Sequence, residues 1–259
     1  MSLLERVAII TSGTVFVIAL LVFIARLEYF EINAVKIEAD GMIDRSEVTE
    51  DIANILSGSY FIFPRRNSLI YPKGDMERSL KFNVPRVKEV DIKRRDLNTL
   101  EISIIERKPE ALWCGDNSEY LGWCFYVDQK GFVYSQAPFF SGHILFRYYG
   151  GDVDPDDPLR SYLTSPEELE EINRFISHLE ELRIEPNAVY LKENEFEVLL
   201  KGEGSLHLTR GGSLEEPFSR LRSLFRGGGQ SFVIEGNPAF SYIDLRFGKR
   251  VYYKMKEDD

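Results

Sequence analysis

The chain has 259 residues, with 32 Lys and Arg against 42 Asp and Glu, and a formal net charge of −10. At 44% hydrophobic and 29% charged residues it is too apolar for a disordered chain and too mixed for a protein that crosses a membrane many times. The acidic balance argues against broad nucleic-acid binding, which needs a basic surface to displace phosphate counterions. The charge is uneven. Residues 1–29 and 30–108 are each neutral, and residues 109–259 carry 16 basic against 26 acidic side chains. That shift suggests at least three segments.

Val7 to Ala25 is a run of 19 residues without a charge. As a helix it would extend roughly 28 Å, close to the ~30 Å of a hydrocarbon core. Twelve of its residues are Val, Ile, Leu or Phe, which favours insertion by about 4–7 kcal/mol. It lacks a small-residue cleavage site, so a membrane anchor at 7–26 is expected rather than a removed signal peptide, after a short cytoplasmic tail at 1–6. Arg6 precedes it, while Arg26, Lys36 and Arg45 follow, so charge alone leaves the orientation open.

Val35 to Glu38 alternates like a strand. Asp44 with Glu47 three residues on reads as a capping box. Val48, Ile52, Ile55 and Leu56 make the apolar face of the helix, and Gly58 ends it. Ile62-Phe63-Pro64 breaks the chain. A second helix is expected between Lys73 and Lys81. Val87 to Arg94 and Leu100 to Glu106 both alternate and read as one hairpin. The order is β-α-α-β-β. Lys93-Arg94-Arg95 is the only basic triplet. It reads as a solvated strand end, or else as a contact with anionic lipid or nucleic acid.

Cys114 and Cys124 are the only cysteines. They flank Gly115-Asp116-Asn117-Ser118, which has turn chemistry. They form a disulfide candidate; two free buried thiols or half a metal site are the alternatives. No Cys-x-x-Cys exists, and His143, His178 and His207 show no ligand spacing, so no metal is expected. Tyr126 to Tyr134 reads as strand, tight turn, strand. Asp152, Asp154 and Asp156 begin like a calcium loop, but Asp157 stands where that loop needs glycine.

Ser165-Pro166-Glu167-Glu168 starts a helix, with Leu169, Ile172, Phe175, Ile176, Leu179 and Leu182 following at helical spacing. The paired acids Glu167 and Glu168 read as lying on a solvated face. Strands are expected at 189–191, 196–200 and 206–208, and a helix from Glu216 to Arg226. Gly227-Gly228-Gly229 lacks the Lys-Ser/Thr of a phosphate loop. No nucleophile elbow, metal motif or nucleotide loop is present. The reading is therefore non-enzymatic, with no catalytic residue, cofactor or small-molecule substrate.

Three stretches carry a resemblance. Arg95, Thr99-Leu100, Ile102, Glu106-Arg107, Pro109, Ala111 and Trp113 look like the run that closes the POTRA domain of the FtsQ/DivIB cell-division family. Leu97 and Asn98 stand where that run has a proline, which affects a turn. Tyr126 to Tyr134 resembles the hairpin that opens the family's β domain. Tyr242-Ile243-Asp244-Leu245-Arg246-Phe247, with Arg250 to Lys254, is similar to its ending.

The resemblance implies an α+β chain: a single transmembrane helix, a POTRA domain at 30–108 and an FtsQ-type β domain at 109–259, a mixed sheet with flanking helices. It implies a bitopic divisome scaffold with its N terminus cytoplasmic and its domains outside the cell membrane, at the division septum. Expected partners are FtsB- and FtsL-type proteins and other divisome membrane proteins, through which such a scaffold helps control septal peptidoglycan synthesis. Partner capture would be β-augmentation on the last strand. By position, Arg246 and Phe247 align with a charged and an aromatic contact residue, with Arg246 expected to meet a partner carboxylate. Val251, Tyr252 and Tyr253 complete the expected edge. The competing readings are a POTRA-containing secretion or envelope-assembly adaptor, and a generic anchored adaptor. Too few strands are available for the outer-membrane barrel that such assembly factors carry.

Overall fold

The structure, a computed structural model, describes all residues except 1–2, 26, 62, 117–122, 141, 143, 228–231, 235 and 257–259; the side chains of 3–8, 21 and 25 are also outside it. Part of the turn expected at 115–118, His143 and two glycines of the 227–229 run thus lie outside the described residues. The chain divides into two compact units, 1–107 and 108–259.

The first unit begins with α1 (Leu3–Ala25) and a 3-10 turn (Glu28–Phe30). β1 (Ala34–Ala39), α2 (Arg45–Leu56), the short strands β2 (Ser59–Tyr60) and β3 (Phe63–Pro64), α3 (Lys73–Asn83), β4 (Val87–Arg94) and β5 (Thr99–Glu106) follow. The sheet order is β1-β5-β4, with β1 parallel and β4 antiparallel to β5. Asp44 caps α2 by accepting from the Ser46 amide at 2.8 Å. Val48, Ile52 and Leu56 of α2 meet Met76 and Leu80 of α3 over Ile92, Leu100 and Ile102 of the sheet. Asp51 ties the helices by accepting from Ser79 Oγ and Asn83 Nδ2. Of the expected break, Ile62 lies outside the described residues, and Phe63-Pro64 forms one side of a small hairpin: Ser59 pairs with Pro64 and Tyr60 with Phe63.

The expected membrane span is corrected. Residues 3–25 are helical, yet among the described residues no helix is long and apolar enough to cross a membrane. The polar Thr11-Ser12-Gly13-Thr14 divides the apolar run of α1, with Thr14 Oγ1 donating back to the Ile10 carbonyl at 2.8 Å.

The second unit contains β6 (Ala111–Trp113), β7 (Phe125–Val127), β8 (Val133–Gln136), β9 (Phe146–Gly150), α4 (Pro166–His178) with a 3-10 turn (Leu179–Leu182), and β10 (Pro186–Leu191). Next come β11 (Glu195–Leu200), β12 (Ser205–Thr209), α5 (Glu215–Gly227), the two-residue strands β13 (Val233–Ile234) and β14 (Asn237–Pro238), β15 (Phe240–Asp244) and β16 (Tyr252–Met255). Among the described residues nine strands form one mixed sheet, in the order β16-β15-β12-β11-β10-β9-β6-β7-β8.

Successive side chains of a strand face opposite sides. Ala111 and Trp113 of β6, Val189 and Leu191 of β10, and Phe196 and Val198 of β11 face the larger core. There they meet Leu169, Ile172 and Phe175 of α4 and Phe218 and Leu221 of α5. Leu112, Tyr149 and Ala188 form a smaller cluster with Cys114 and Ala137. Cys114 and Cys124 are bridged and join the end of β6 to the start of β7.

Glu168 is not on a solvated face. Its side chain is 16% exposed and receives Arg210, itself 11% exposed. Arg210 donates Nε to Glu168 Oε1 at 3.0 Å and Nη2 to Oε2 at 2.9 Å. The same guanidinium reaches the Lys192 carbonyl, Thr164 Oγ1 and Asp152. It therefore joins α4 to the turn between β10 and β11 and to the acidic loop. The Arg210 hydrogen bonds hold the Glu168 carboxyl below its ordinary value, against the upward push of burial. Removing one partner of such a pair strands the other. Glu168→Gln is expected to lower unfolding stability by about 3 kcal/mol in urea titrations at pH 7. Because the folded-state value is depressed from 4.5, this stabilisation is present above that pH and is lost as pH falls further. The gap between Glu168→Gln and the parent should therefore shrink in acid.

Candidate partner-binding edge

A nine-stranded open sheet has two edges, and this one treats them differently. At the β8 edge the chain covers itself. Val133 N–H donates to the Ser161 carbonyl at 2.9 Å, Arg160 N–H donates to the Val133 carbonyl at 2.8 Å, and Phe132 bridges Tyr162. At the other end β16 pairs only with β15, and no described strand lies beyond it. Lys256 N–H donates inward to the Ala239 carbonyl at 3.0 Å. Alternation along an antiparallel strand then turns the backbone groups of Tyr253 and Met255 outward.

Arg246 and Phe247 lie in the turn between β15 and β16, Tyr252 and Tyr253 lie in β16, and Val251 immediately precedes it. Phe247 is 55% exposed and Tyr252 is 46% exposed. Their rings meet edge-to-face with centroids 5.5 Å apart. Tyr253 points to the opposite side of the strand and packs edge-to-face on Phe232 at 5.2 Å. Val251 is half-buried against the core and borders a recess of about 480 Å³ with Leu224, Arg220 and Lys249.

Arg246 sits differently from its expected role. Its guanidinium is held within the chain, donating Nε to Asp244 Oδ1 at 2.9 Å, Nη2 to Asp244 Oδ2 at 2.6 Å, and Nη1 to Glu195. The Asp244 side chain is only 8% exposed. Burial pushes its carboxyl up, but the hydrogen bonds from Arg246 outweigh that and hold it below the usual carboxylate value. Hydrogen bonding to Arg246 lowers Glu195 as well, and the two carboxylates raise Arg246. The guanidinium carbon also lies 5.6 Å from the Phe247 ring centroid, within cation–π reach. Arg246 thus positions Phe247.

Other residues of this edge were not legible beforehand. Arg220 of α5 donates to the Leu245 carbonyl at 2.9 Å and the Arg250 carbonyl at 3.2 Å, holding both ends of the turn. Glu195 arrives from β11. Tyr242, 37% exposed, shares a face with Tyr252 and stands beside His207 at 5.7 Å. Nothing in local spacing connects residues so distant along the chain. Among the described residues, no group of three or more His, Cys, Asp or Glu side chains is placed to hold a metal ion. The edge offers backbone pairing, two exposed aromatics and a basic turn.

No protein-family model matches the chain, and no curated protein matches it. Because Arg246 neutralises a buried carboxylate, Arg246→Glu would crowd three acids together. Arg246→Ala is expected to cost about 2 kcal/mol of stability and Arg246→Glu more, whereas Phe247→Ala should be near neutral. Thermal unfolding of the three variants checks this order.

Proposed function

We propose that the chain is a non-enzymatic scaffold of the bacterial division apparatus. It binds FtsB- and FtsL-type proteins by strand addition to β16, outside the cytoplasm at the septum, and so helps control septal peptidoglycan synthesis. The observation that carries the reading is the asymmetry of the two sheet edges. One is covered at its Val133 end by its own chain; beyond the other no described strand lies, and Phe247 and Tyr252 flank it. An open edge supplies backbone hydrogen bonds, and exposed aromatics choose the partner. The Cys114–Cys124 bridge supports an extracytoplasmic site, since such bonds persist in oxidising compartments. The FtsQ/DivIB-like stretches at 95–113, 126–134 and 242–254 point to the partner class.

Two variants separate backbone from side-chain recognition. Tyr253→Pro removes an outward N–H while leaving the ladder to β15 intact. Phe247→Ala with Tyr252→Ala removes the exposed aromatic pair. Each is expected to weaken capture of a purified FtsB-type partner by at least about thirtyfold in calorimetry, with circular dichroism unchanged. Parent-like binding by both would sink the assignment. Reduction of the disulfide should cost about 2.5–3 kcal/mol of stability, read by urea unfolding with and without reductant.

A further inference from the structure

In the first unit, three loops are hydrogen-bonded into one surface. Ile32 N–H donates to the Arg66 carbonyl, and Ser68 N–H donates to the Phe30 carbonyl, both at 2.8 Å. Asn98, in the turn between β4 and β5, donates Nδ2 to the Tyr29 carbonyl at 3.2 Å and the Glu31 carbonyl at 2.8 Å. The β2–β3 hairpin leads directly into the second of these loops, with Asn67 N–H donating to the Pro64 carbonyl.

This surface holds a cluster of exposed apolar side chains: Leu27, Tyr29, Tyr60, Phe61, Leu69 and Ile70. Singly such residues mean little, but a contiguous group marks a contact site. Phe61 is fully exposed, at 101%, at the hairpin tip. Its φ of 52° lies in the left-handed region that a bulky residue rarely adopts. Two arginines stand in the same surface with no carboxylate partner among the described residues. Arg94 donates to the Ser68 carbonyl at 3.4 Å, and the Arg65 guanidinium lies 4.8 Å from the Tyr60 ring centroid. Arg65 Nε is buried and without a partner. Their neighbours Lys93 and Arg66 are by contrast paired, with Asp91 and Glu31.

We infer that this surface rests on an anionic phospholipid bilayer, with Phe61 and the neighbouring aromatics at headgroup depth and Arg65 and Arg94 on lipid phosphates. Aromatic rings favour that interface, and guanidinium groups match phosphate geometry. A fully exposed Phe61 beside two arginines without a carboxylate partner among the described residues suits an anionic lipid surface. The contact is separate from the β16 edge and does not depend on what that edge binds.

The test uses the full chain carrying Phe61→Cys, labelled with an environment-sensitive fluorophore while Cys114 and Cys124 stay oxidised. A label at Phe139→Cys in the second unit serves as control. With phosphatidylglycerol vesicles, the label at 61 should shift to the blue and be quenched by lipid-borne nitroxides, and the control should not. Arg65→Gln and Arg94→Gln should each weaken the vesicle titration about fivefold, and high salt should do the same. The inference is overturned by any of three results. The label at 61 stays aqueous. It responds equally in neutral phosphatidylcholine vesicles and in the arginine variants. Or it shifts with protein concentration in the absence of vesicles, which would place a second copy on this surface.

Discussion

A strand at the edge of a sheet carries backbone donors and acceptors that nothing within the sheet can use. The second unit resolves this in two opposite ways. At β8 it folds residues 160–163 against residues 131–133 and covers that end of the edge. Beyond β16 no described strand lies, and the turn beside it is held by several side chains. An uncovered edge is a hazard for aggregation, so leaving one open is costly unless something is meant to pair with it.

The turn between β15 and β16 is pinned from three directions. Arg220 holds its carbonyls from α5, Asp244 and Glu195 hold Arg246, and Arg246 in turn supports the Phe247 ring. A rigid turn presents its aromatics with little entropy left to lose, which favours association. Arg246 serves shape more than attraction, because its charge is already neutralised inside the chain. The same economy recurs at Arg210, where one guanidinium joins α4, a loop and the sheet. In both places an arginine's planar fork collects carboxylates and carbonyls that hydrophobic contacts alone would not orient.

Several elements were readable because their causes are local. Ser165 caps α4, with Pro166 in its first turn, and apolar residues recur there at helical spacing. β5 and β11 alternate because one face is buried. The β2–β3 hairpin was not readable, since two-residue strands have no period to detect. The helicity of residues 3–25 was visible, but apolar composition overstated its ability to span a bilayer. Among the described residues no helix is long and apolar enough to cross, and the polar Thr11-Ser12-Gly13-Thr14 divides the apolar run.

The sequence by itself determined the placement of most helices and strands, the position of the two cysteines, and the aromatic and basic character of residues 246–254. These depend on neighbours within a few residues, through capping, periodicity and composition. Only the tertiary structure decided that β16 is an edge, that Arg246 faces its own Asp244 and Glu195, and that Glu168 is enclosed with Arg210. Apart from the Arg246–Asp244 contact, those facts join residues tens of positions apart. Which strand lies outermost and which charges are enclosed follow from how the whole sheet is ordered, and no local pattern encodes that order.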